Sequence, residues 1–384
     1  MKFVKKIKQG LKSHFGLSEV IIGNLSSAVI SIGFTLFLAN HIGAEIFGEL
    51  NYFLSIGYVA SGIAILGTGG AMVVFVTKKI KVKSTLYLIT IFSSSISGIA
   101  IFAILNLIEL SFFVIGIVMF NLITNELLGE KQFRKNAIVL ILQKIFLVGL
   151  ALIFYYLIGP YGIILGYGIS FFPFFYRIVK SFKNEKIDFG LIKEKIEFIR
   201  NNFIQDITRM MAEHSSKIII GPLFGFSVLG NYQIAYSILM LINLIPIIIY
   251  QYTITQDSIE IKRNALKKIT IITTSILAVL IFFVSPTILP ILFPEYESAV
   301  IIIQIIIFAV IPLSMNKMMI SEFLGKEKTR IVLFGSIIFI ATQLTGILIL
   351  GGLFAEKGIA ASIVISASAE TVFLKFGEKI NKLK

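Results

Sequence analysis

Apolar residues recur along the chain in runs of about twenty, and short segments between the runs carry most of the charge. A run of that length crosses a hydrocarbon core of about 30 Å as an α-helix. The pattern therefore predicts an all-α, polytopic membrane protein with about 12 transmembrane helices. The predicted spans are 20–40, 47–76, 85–105, 110–128, 137–158, 162–182, 203–224, 228–255, 269–292, 297–316, 330–350 and 357–376.

Basic residues predict the orientation of these spans, because Lys and Arg accumulate in cytoplasmic loops. They occupy both ends of the chain and every second loop, whereas the alternate loops hold only Lys357. The basic segments are 2–12, 78–83, 131–135, 177–200, 262–268, 317–330 and 375–384. We expect a multi-pass protein of the cell membrane with both termini in the cytoplasm. The alternation requires 203–224 to cross the membrane despite its charges.

The charge pattern also predicts the domain organisation. We expect two lobes of six spans each, joined by a charged cytoplasmic linker and flanked by cytoplasmic ends. The predicted parts are a basic N-terminus at 1–19, the first lobe at 20–182, the linker at 183–202, the second lobe at 203–376 and a tail at 377–384.

The two halves of the sequence resemble each other in two blocks. At an offset of 196, Leu128-Gly129 matches Leu324-Gly325, and Gly162-Ile163 matches Gly358-Ile359. At an offset of 182, Gly43, Gly48 and Ser55 match Gly225, Gly230 and Ser237. Because six spans are an even number, the repeats should share one orientation and enclose the substrate between them. We predict that the four glycines of the second block shape outer turns.

The seventh span carries an unusual polar face. Asp206, Arg209, Glu213 and Lys217 follow intervals of 3, 4 and 4, which place them on one side of a helix, and His214 lies beside them. Glu213 should lie roughly 15 Å deep. Four such ions facing lipid would cost on the order of 10 kcal/mol, so they should face protein or water.

A neutral counterpart lies on the first span. Moving back by 182 residues gives Asn24, Ser27, Ser31 and Thr35, with the same spacing. We infer a hydrated cavity flanked by the first and seventh spans. The alternative is that the charges of the seventh span only neutralise one another within the helix. Weaker candidates are Glu126, and Lys144 beside Gln143, which we expect near the cytoplasmic ends of their spans, with Lys144 snorkelling.

Composition argues against several classes of partner and site. The 384 residues are 57% hydrophobic and 15% charged, with a net charge of +14, no cysteine and three histidines. The basic residues lie in short loops rather than on one exposed face, so nucleic acid is not an expected partner. Without cysteines there are no disulfides or thiolate sites, and the histidines form no metal motif, so no metal or cofactor is predicted.

The arrangement resembles, over essentially the whole chain, the polysaccharide exporters of the multidrug, oligosaccharidyl-lipid and polysaccharide (MOP) superfamily, which include the O-antigen type flippases. The pieces that carry the resemblance are Ile42-Gly43 to Phe47-Gly48, Leu229-Gly230-Asn231-Tyr232, Phe293-Pro294-Glu295-Tyr296 and Leu324-Gly325-Lys326. The resemblance implies a MATE-like fold of two six-helix lobes around a central cavity. It also implies export of a lipid-linked oligosaccharide by alternating access for cell-surface polysaccharide biosynthesis, in possible association with polysaccharide assembly proteins.

Such a substrate carries a polyprenyl tail, a diphosphate and a glycan. The diphosphate needs fixed cations, and the glycan needs polar groups. Arg209, Lys217 and His214 are the candidates for the phosphates, and the polar residues of the first span are the candidates for the glycan. Asp206 and Glu213 would bind a coupling H⁺ or Na⁺, or hold the cations in place.

Two other classes stay open. A drug antiporter of the same superfamily would share the fold but favour a cavity of carboxylates and apolar surface. A membrane-embedded polysaccharide polymerase or ligase, the enzymatic alternative, would present a sizeable outer loop, and the predicted outer loops are short. A purely structural role ranks last, because it would not need charges at the midplane.

Overall fold

The computed structural model describes residues 2–257, 264–296, 298–326 and 328–382, and it describes side chains from residue 18 onward except at 252, 254–257 and 378–382. The predicted basic residues Lys262 and Arg263 lie outside the described part. Within that part every element is helical. The helices are α1 (Lys2–Ile42), α2 (Ala44–Ala64), α3 (Thr68–Thr77), α4 (Lys83–Leu105), α5 (Ile108–Gly129), α6 (Phe133–Ile158), α7 (Tyr161–Ile169), α8 (Tyr176–Asn184), α9 (Phe189–Glu194), α10 (Ile196–Phe224), α11 (Phe226–Asp257), α12 (Asn264–Leu292), α13 (Ala299–Ile306), α14 (Val310–Gly325) and α15 (Thr329–Lys382).

The helices agree with the predicted spans. In the described residues, nine helical segments are long and apolar enough to cross a membrane, or ten with the bent pair α2 and α3. The long α15 is two helices joined by a kink at Ala355. The charged α10 is 29 residues long, or about 43 Å, which also suffices to cross. Counting both parts of α15 and α10 gives the predicted twelve, and the all-α membrane fold is confirmed.

The chain forms two compact units whose limits differ from the predicted lobes. The first contains Met1–Ser31 and Ile56–Met210, and the second contains Ile32–Ser55 and Met211–Lys384. Residues 32–55 therefore group with the second half of the sequence, and the start of α10 groups with the first half. Charge and hydropathy could not predict this, because it depends on how closely particular helices approach one another.

In the first unit, the start of α10 packs against the bend between α2 and α3. Leu66 and Gly67 adopt positive φ values of 49° and 71°, and the two helices meet at 50°. A side chain at Gly67 would overlap the backbone of Ile199 and Phe203 on α10. The bend therefore brings the α10 backbone into direct contact with α2 and α3.

In the second unit, the starts of α2 and α11 pack closely against each other at two glycines. A Cβ atom at Gly48 would overlap the carbonyl oxygen of Phe226, and one at Gly230 would overlap that of Ala44. Phe226 follows Ala44 by the repeat offset of 182, so the two contacts are copies of each other. This close packing holds residues 32–55 in the second unit.

The structure corrects part of the prediction made for the four glycines. Gly43 and Gly225 have φ values of +77° and +100° and lie in the turns before α2 and α11, as expected. Gly48 and Gly230 lie inside those helices, so the prediction that they shape turns is wrong. Their role is close helix approach, since any larger residue would separate the two backbones.

The block with the offset of 196 is repeated in the backbone as well. Gly159 (φ 84°) and Ala355 (φ 49°) each join two antiparallel helices. Gly162 and Gly358 then lie against the carbonyls of Phe154 and Leu350, again 196 residues apart. The pair differs in one respect, because the second copy places an alanine where the first has a glycine.

We expect Ala355→Gly to stabilise the protein, because the methyl group strains a residue held at φ 49° and ψ −132°. Relief of this strain should raise the free energy of unfolding by about 1 kcal/mol. Thermal unfolding in detergent measures the effect. Ala341→Gly, in an exposed helical turn of α15, is the matched control and should lower stability by about 1 kcal/mol. Equal destabilisation by both changes would contradict the account.

Candidate functional site

The first half of the polar face of α10 lies in the first unit. Arg209 Nη2 lies 3.3 Å from Asp206 Oδ1, a pair one turn apart on the helix. The Arg209 side chain is 56% exposed, whereas that of Asp206 is 19% exposed. The carboxylate therefore neutralises part of the guanidinium charge, and most of the guanidinium remains accessible to another anion.

The second half of this face lies in the second unit. His214 Nε2 approaches Glu213 Oε2 at 4.0 Å, and the Glu213 side chain is 55% exposed. Lys217 is buried, and its Nζ lies 4.7 Å from the ring centroid of Tyr236. The π face of the tyrosine stabilises the ammonium. Among the predicted phosphate ligands, Arg209 is accessible and Lys217 is covered.

The neutral stripe of α1 is divided in the same way. Asn24, Ser27 and Ser31 belong to the first unit, and Thr35 belongs to the second. Ser27 is buried and donates its hydroxyl hydrogen bond to the Asn24 carbonyl at 2.9 Å. The other three are half-buried. Both polar faces thus extend over two units, and a common cavity between them stays a prediction.

A buried charge network in the first unit contains Glu126, which we predicted only as a weaker candidate. Glu126 on α5 is 4% exposed and lies between two cations, Lys83 on α4 and Arg177 on α8. Glu130 also contacts both cations. The distances are 3.5 Å for Lys83–Glu126, 2.9 Å for Lys83–Glu130, 3.3 Å for Arg177–Glu126 and 3.0 Å for Arg177–Glu130. Arg177, from the predicted cytoplasmic segment 177–200, contacts these two glutamates at the end of α5.

The network connects three helices to the segment that follows α8. Burial alone would raise the pKa of Glu130, but the hydrogen bonds and charges of Lys83 and Arg177 outweigh it and lower that pKa. The Lys83 backbone N–H donates to Glu185 Oε2 at 2.9 Å. Within the first unit, this network therefore attaches the start of the predicted linker to α4.

The sequence did contain a signal for this network. Glu322 follows Glu126 by the offset of 196, and in the second unit Lys267 Nζ lies 3.0 Å from Glu322 Oε1. The helix pairs α4–α5 and α12–α14 therefore each carry a Lys–Glu contact. The repeated carboxylate was the signal in the sequence, whereas Lys267 follows Lys83 by 184 residues and matches neither repeat offset.

The second unit contains another carboxylate that hydropathy did not single out. Glu370 on α15 is buried, and its Oε2 accepts a hydrogen bond of 2.8 Å from Asn316 Nδ2 on α14. Thr371 Oγ1 donates to Asn316 Oδ1 at 2.6 Å, which orients the amide. A single acid in an apolar run gives no periodic pattern, so only its packing identifies it.

Comparison with known proteins places this geometry in a known fold. No family model matches the sequence, and no curated protein matches it. Among solved structures, the chain is similar to the lipid II flippase MurJ in its inward closed conformation, with 14% identity, 94% of this chain and 87% of that chain covered, and a TM-score of 0.78.

The chain is also similar to a multidrug resistance MATE family transporter of the MOP superfamily in an inward-facing conformation (16% identity, 95% of each chain, TM-score 0.71). A third similar structure is a MOP superfamily transporter from Pyrococcus furiosus whose binding pocket has reversed polarity (15% identity, 95% of each chain, TM-score 0.67). At these identities the likeness concerns the fold. The chain has the fold of MOP superfamily transporters.

Proposed function

We propose that this protein is a flippase that carries a polyprenyl-diphosphate oligosaccharide from the cytoplasmic to the outer leaflet by alternating access. The observation that supports this proposal most is the accessible cation Arg209 on α10, a helix that we predict to cross the membrane, in a chain with a transporter fold. MurJ, with a similar fold, is called a lipid II flippase. The proposed role is export of glycan precursors for cell-surface polysaccharide.

The chemistry of the substrate assigns roles to the two polar faces. A diphosphate is recognised by charge-assisted hydrogen bonds, which a guanidinium makes in pairs. Arg209 would bind the diphosphate first. Lys217 would bind it after the Tyr236 ring moves away from the lysine ammonium. His214 lies between them in sequence and would contribute when protonated. The half-buried Asn24, Ser31 and Thr35 would hydrogen-bond the glycan.

A drug antiporter is the second candidate, because MATE transporters share the fold. Cationic drugs would be repelled by an accessible Arg209, which favours the anionic substrate. An enzyme is disfavoured by the connections predicted to face outward. The single residues Gly43 and Gly225 join α1 to α2 and α10 to α11, which leaves no catalytic loop at these two connections.

The proposed topology places both termini in the cytoplasm of a cell-membrane protein, as the basic segments predict. Polysaccharide assembly proteins are proposed partners, since the exported precursor must be polymerised or transferred.

For energy coupling we propose a proton carried by Glu370, in addition to the predicted candidates Asp206 and Glu213. The buried Glu370 carboxylate accepts its hydrogen bond from an amide, and Lys317 also acts on it electrostatically. A carboxyl that no direct ion pair holds in one state can exchange a proton during the transport cycle. Sodium would need several oxygen ligands, and the Asn316 oxygen is already engaged by Thr371.

The double variant Arg209→Gln/Lys217→Gln should abolish glycan export, because the diphosphate loses both cations. Complementation of a gene deletion tests this by measuring lipid-linked oligosaccharide that accumulates on the cytoplasmic leaflet. Lys268→Gln/Arg330→Gln, which removes two exposed cations, should restore export fully. Normal export by the first variant at normal protein level would refute these phosphate ligands, and altered drug sensitivity without accumulation would favour the antiporter.

Glu370→Gln should uncouple transport from the proton gradient, because the amide cannot carry a proton while it retains the size and polarity of the acid. The rate of transfer of the lipid-linked oligosaccharide in proteoliposomes, with and without an imposed pH gradient, measures this. The gradient should accelerate transfer by the wild type but not by the variant. Glu356→Gln, on the same helix α15, should behave like wild type. A gradient response that survives in Glu370→Gln would exclude the residue as the coupling group.

A further inference from the structure

Lys144 lies in the first half of α6, within the predicted fifth span. It follows Phe133, the first residue of α6, by eleven residues, or about 16 Å, and it follows Ala137, the start of the predicted span, by about 10 Å. The nearest basic residue on that helix, Lys135, precedes it by about 14 Å. Snorkelling toward the cytoplasmic end stays a prediction, and ligand binding is its alternative.

The side of α6 that carries Lys144 faces protein. Between residues 138 and 153, the strongly exposed apolar residues of α6 form one stripe, namely Ile138, Leu142, Ile145, Phe146 and Ile153. Lys144 is half-buried and lies on the opposite side, two helical turns after Ala137. A Cβ atom built on Gly23 of α1 would lie 2.6 Å from Ala137 Cα. Lys144 is thus on the stripe of α6 that approaches α1.

This placement brings Lys144 to the level of the neutral polar stripe. As the first and fifth spans, α1 and α6 run in the same direction. Two turns beyond Gly23 on α1 is Ile30, and Ser27 and Ser31 flank it. Lys144 is two turns beyond Ala137. All of these residues belong to the first unit.

Lys144 differs from other cations of the first unit in its electrostatic environment. Lys83 and Arg177 contact Glu126, and Arg209 contacts Asp206. Across the described residues, Lys144 takes part in no ion pair or hydrogen bond. An ammonium inside a span is costly to insert unless an opposite charge or water accompanies it. No charged residue in the described part of the chain pairs with Lys144, and an anionic ligand would supply the missing charge.

We propose that Lys144 and the hydroxyls of Ser27 and Ser31 form a second phosphate-binding site. The lysine supplies a point charge, and Ser27 can turn its hydroxyl from the Asn24 carbonyl to a phosphate oxygen. The proposal rests on the proposed function, in which a diphosphate must be held while the glycan crosses. The same chemistry would fit the phosphate of a membrane phospholipid.

Binding of radiolabelled farnesyl diphosphate to the full chain in detergent tests the site without requiring transport. All variants are made in the Arg209→Gln/Lys217→Gln background, which removes the first proposed phosphate site. In that background, wild type at position 144 and Lys144→Arg should bind farnesyl diphosphate, and Lys144→Met should bind at least about tenfold more weakly, as expected for loss of a charged contact. Lys135→Met, which removes an exposed charge from the same helix, should bind like wild type. Farnesol, which has the tail without phosphate, should bind all variants equally and so reports folding.

Competition identifies the source of the phosphate. If phosphatidylglycerol competes only weakly, the site is assigned to the diphosphate of the substrate. If it displaces farnesyl diphosphate at equal concentration, and this displacement depends on Lys144, the site is assigned to a membrane lipid. Equal farnesyl diphosphate binding by wild type, Lys144→Met and Lys144→Gln overturns the site. The proposed function fails separately if gene deletion leaves glycan precursors unchanged, a result that does not depend on Lys144.

Discussion

A lipid bilayer offers no hydrogen bonds or counter-ions, so each polar group inside a span must find its partner within the protein or in a ligand. This constraint explains much of the observed packing. In the first unit two cations contact Glu126, and in the second unit Asn316 donates to the acid Glu370 while Thr371 orients the amide. Arg209 is only partly neutralised, and Lys144 has no ion-pair partner among the described residues. These are the positions where a ligand would complete the structure.

The internal repeat supplies the framework for those positions. Each copy uses a glycine to bring two helix backbones together, as at Gly48 and Gly230, and a positive φ to reverse the chain, as at Gly43 and Gly225. Each copy also carries a Lys–Glu pair that includes one of the repeated glutamates, Glu126 and Glu322. The two halves nevertheless differ in chemistry, since the face of α1 is neutral and that of α10 is charged. That these two faces line one cavity stays a prediction.

Much of the fold could be predicted from the sequence, because span length and loop charge depend only on the local chain. The helical spans, the repeat offsets and the turns at Gly43 and Gly225 are of this kind. The partners of Arg177 and Glu370 could not be predicted, since they depend on how neighbouring helices rotate about their axes. The roles assigned to the polar faces stay predictions.

The central claim is that this fold moves a lipid-linked glycan between leaflets, and transfer in a reconstituted bilayer tests it most directly. Proteoliposomes that contain the protein would receive a fluorescent polyprenyl-diphosphate oligosaccharide in the inner leaflet, and a membrane-impermeant glycosidase would report its arrival outside. The account predicts transfer that depends on the protein and is unaffected by cationic drugs. Absence of transfer, together with drug uptake by the same vesicles, would contradict it.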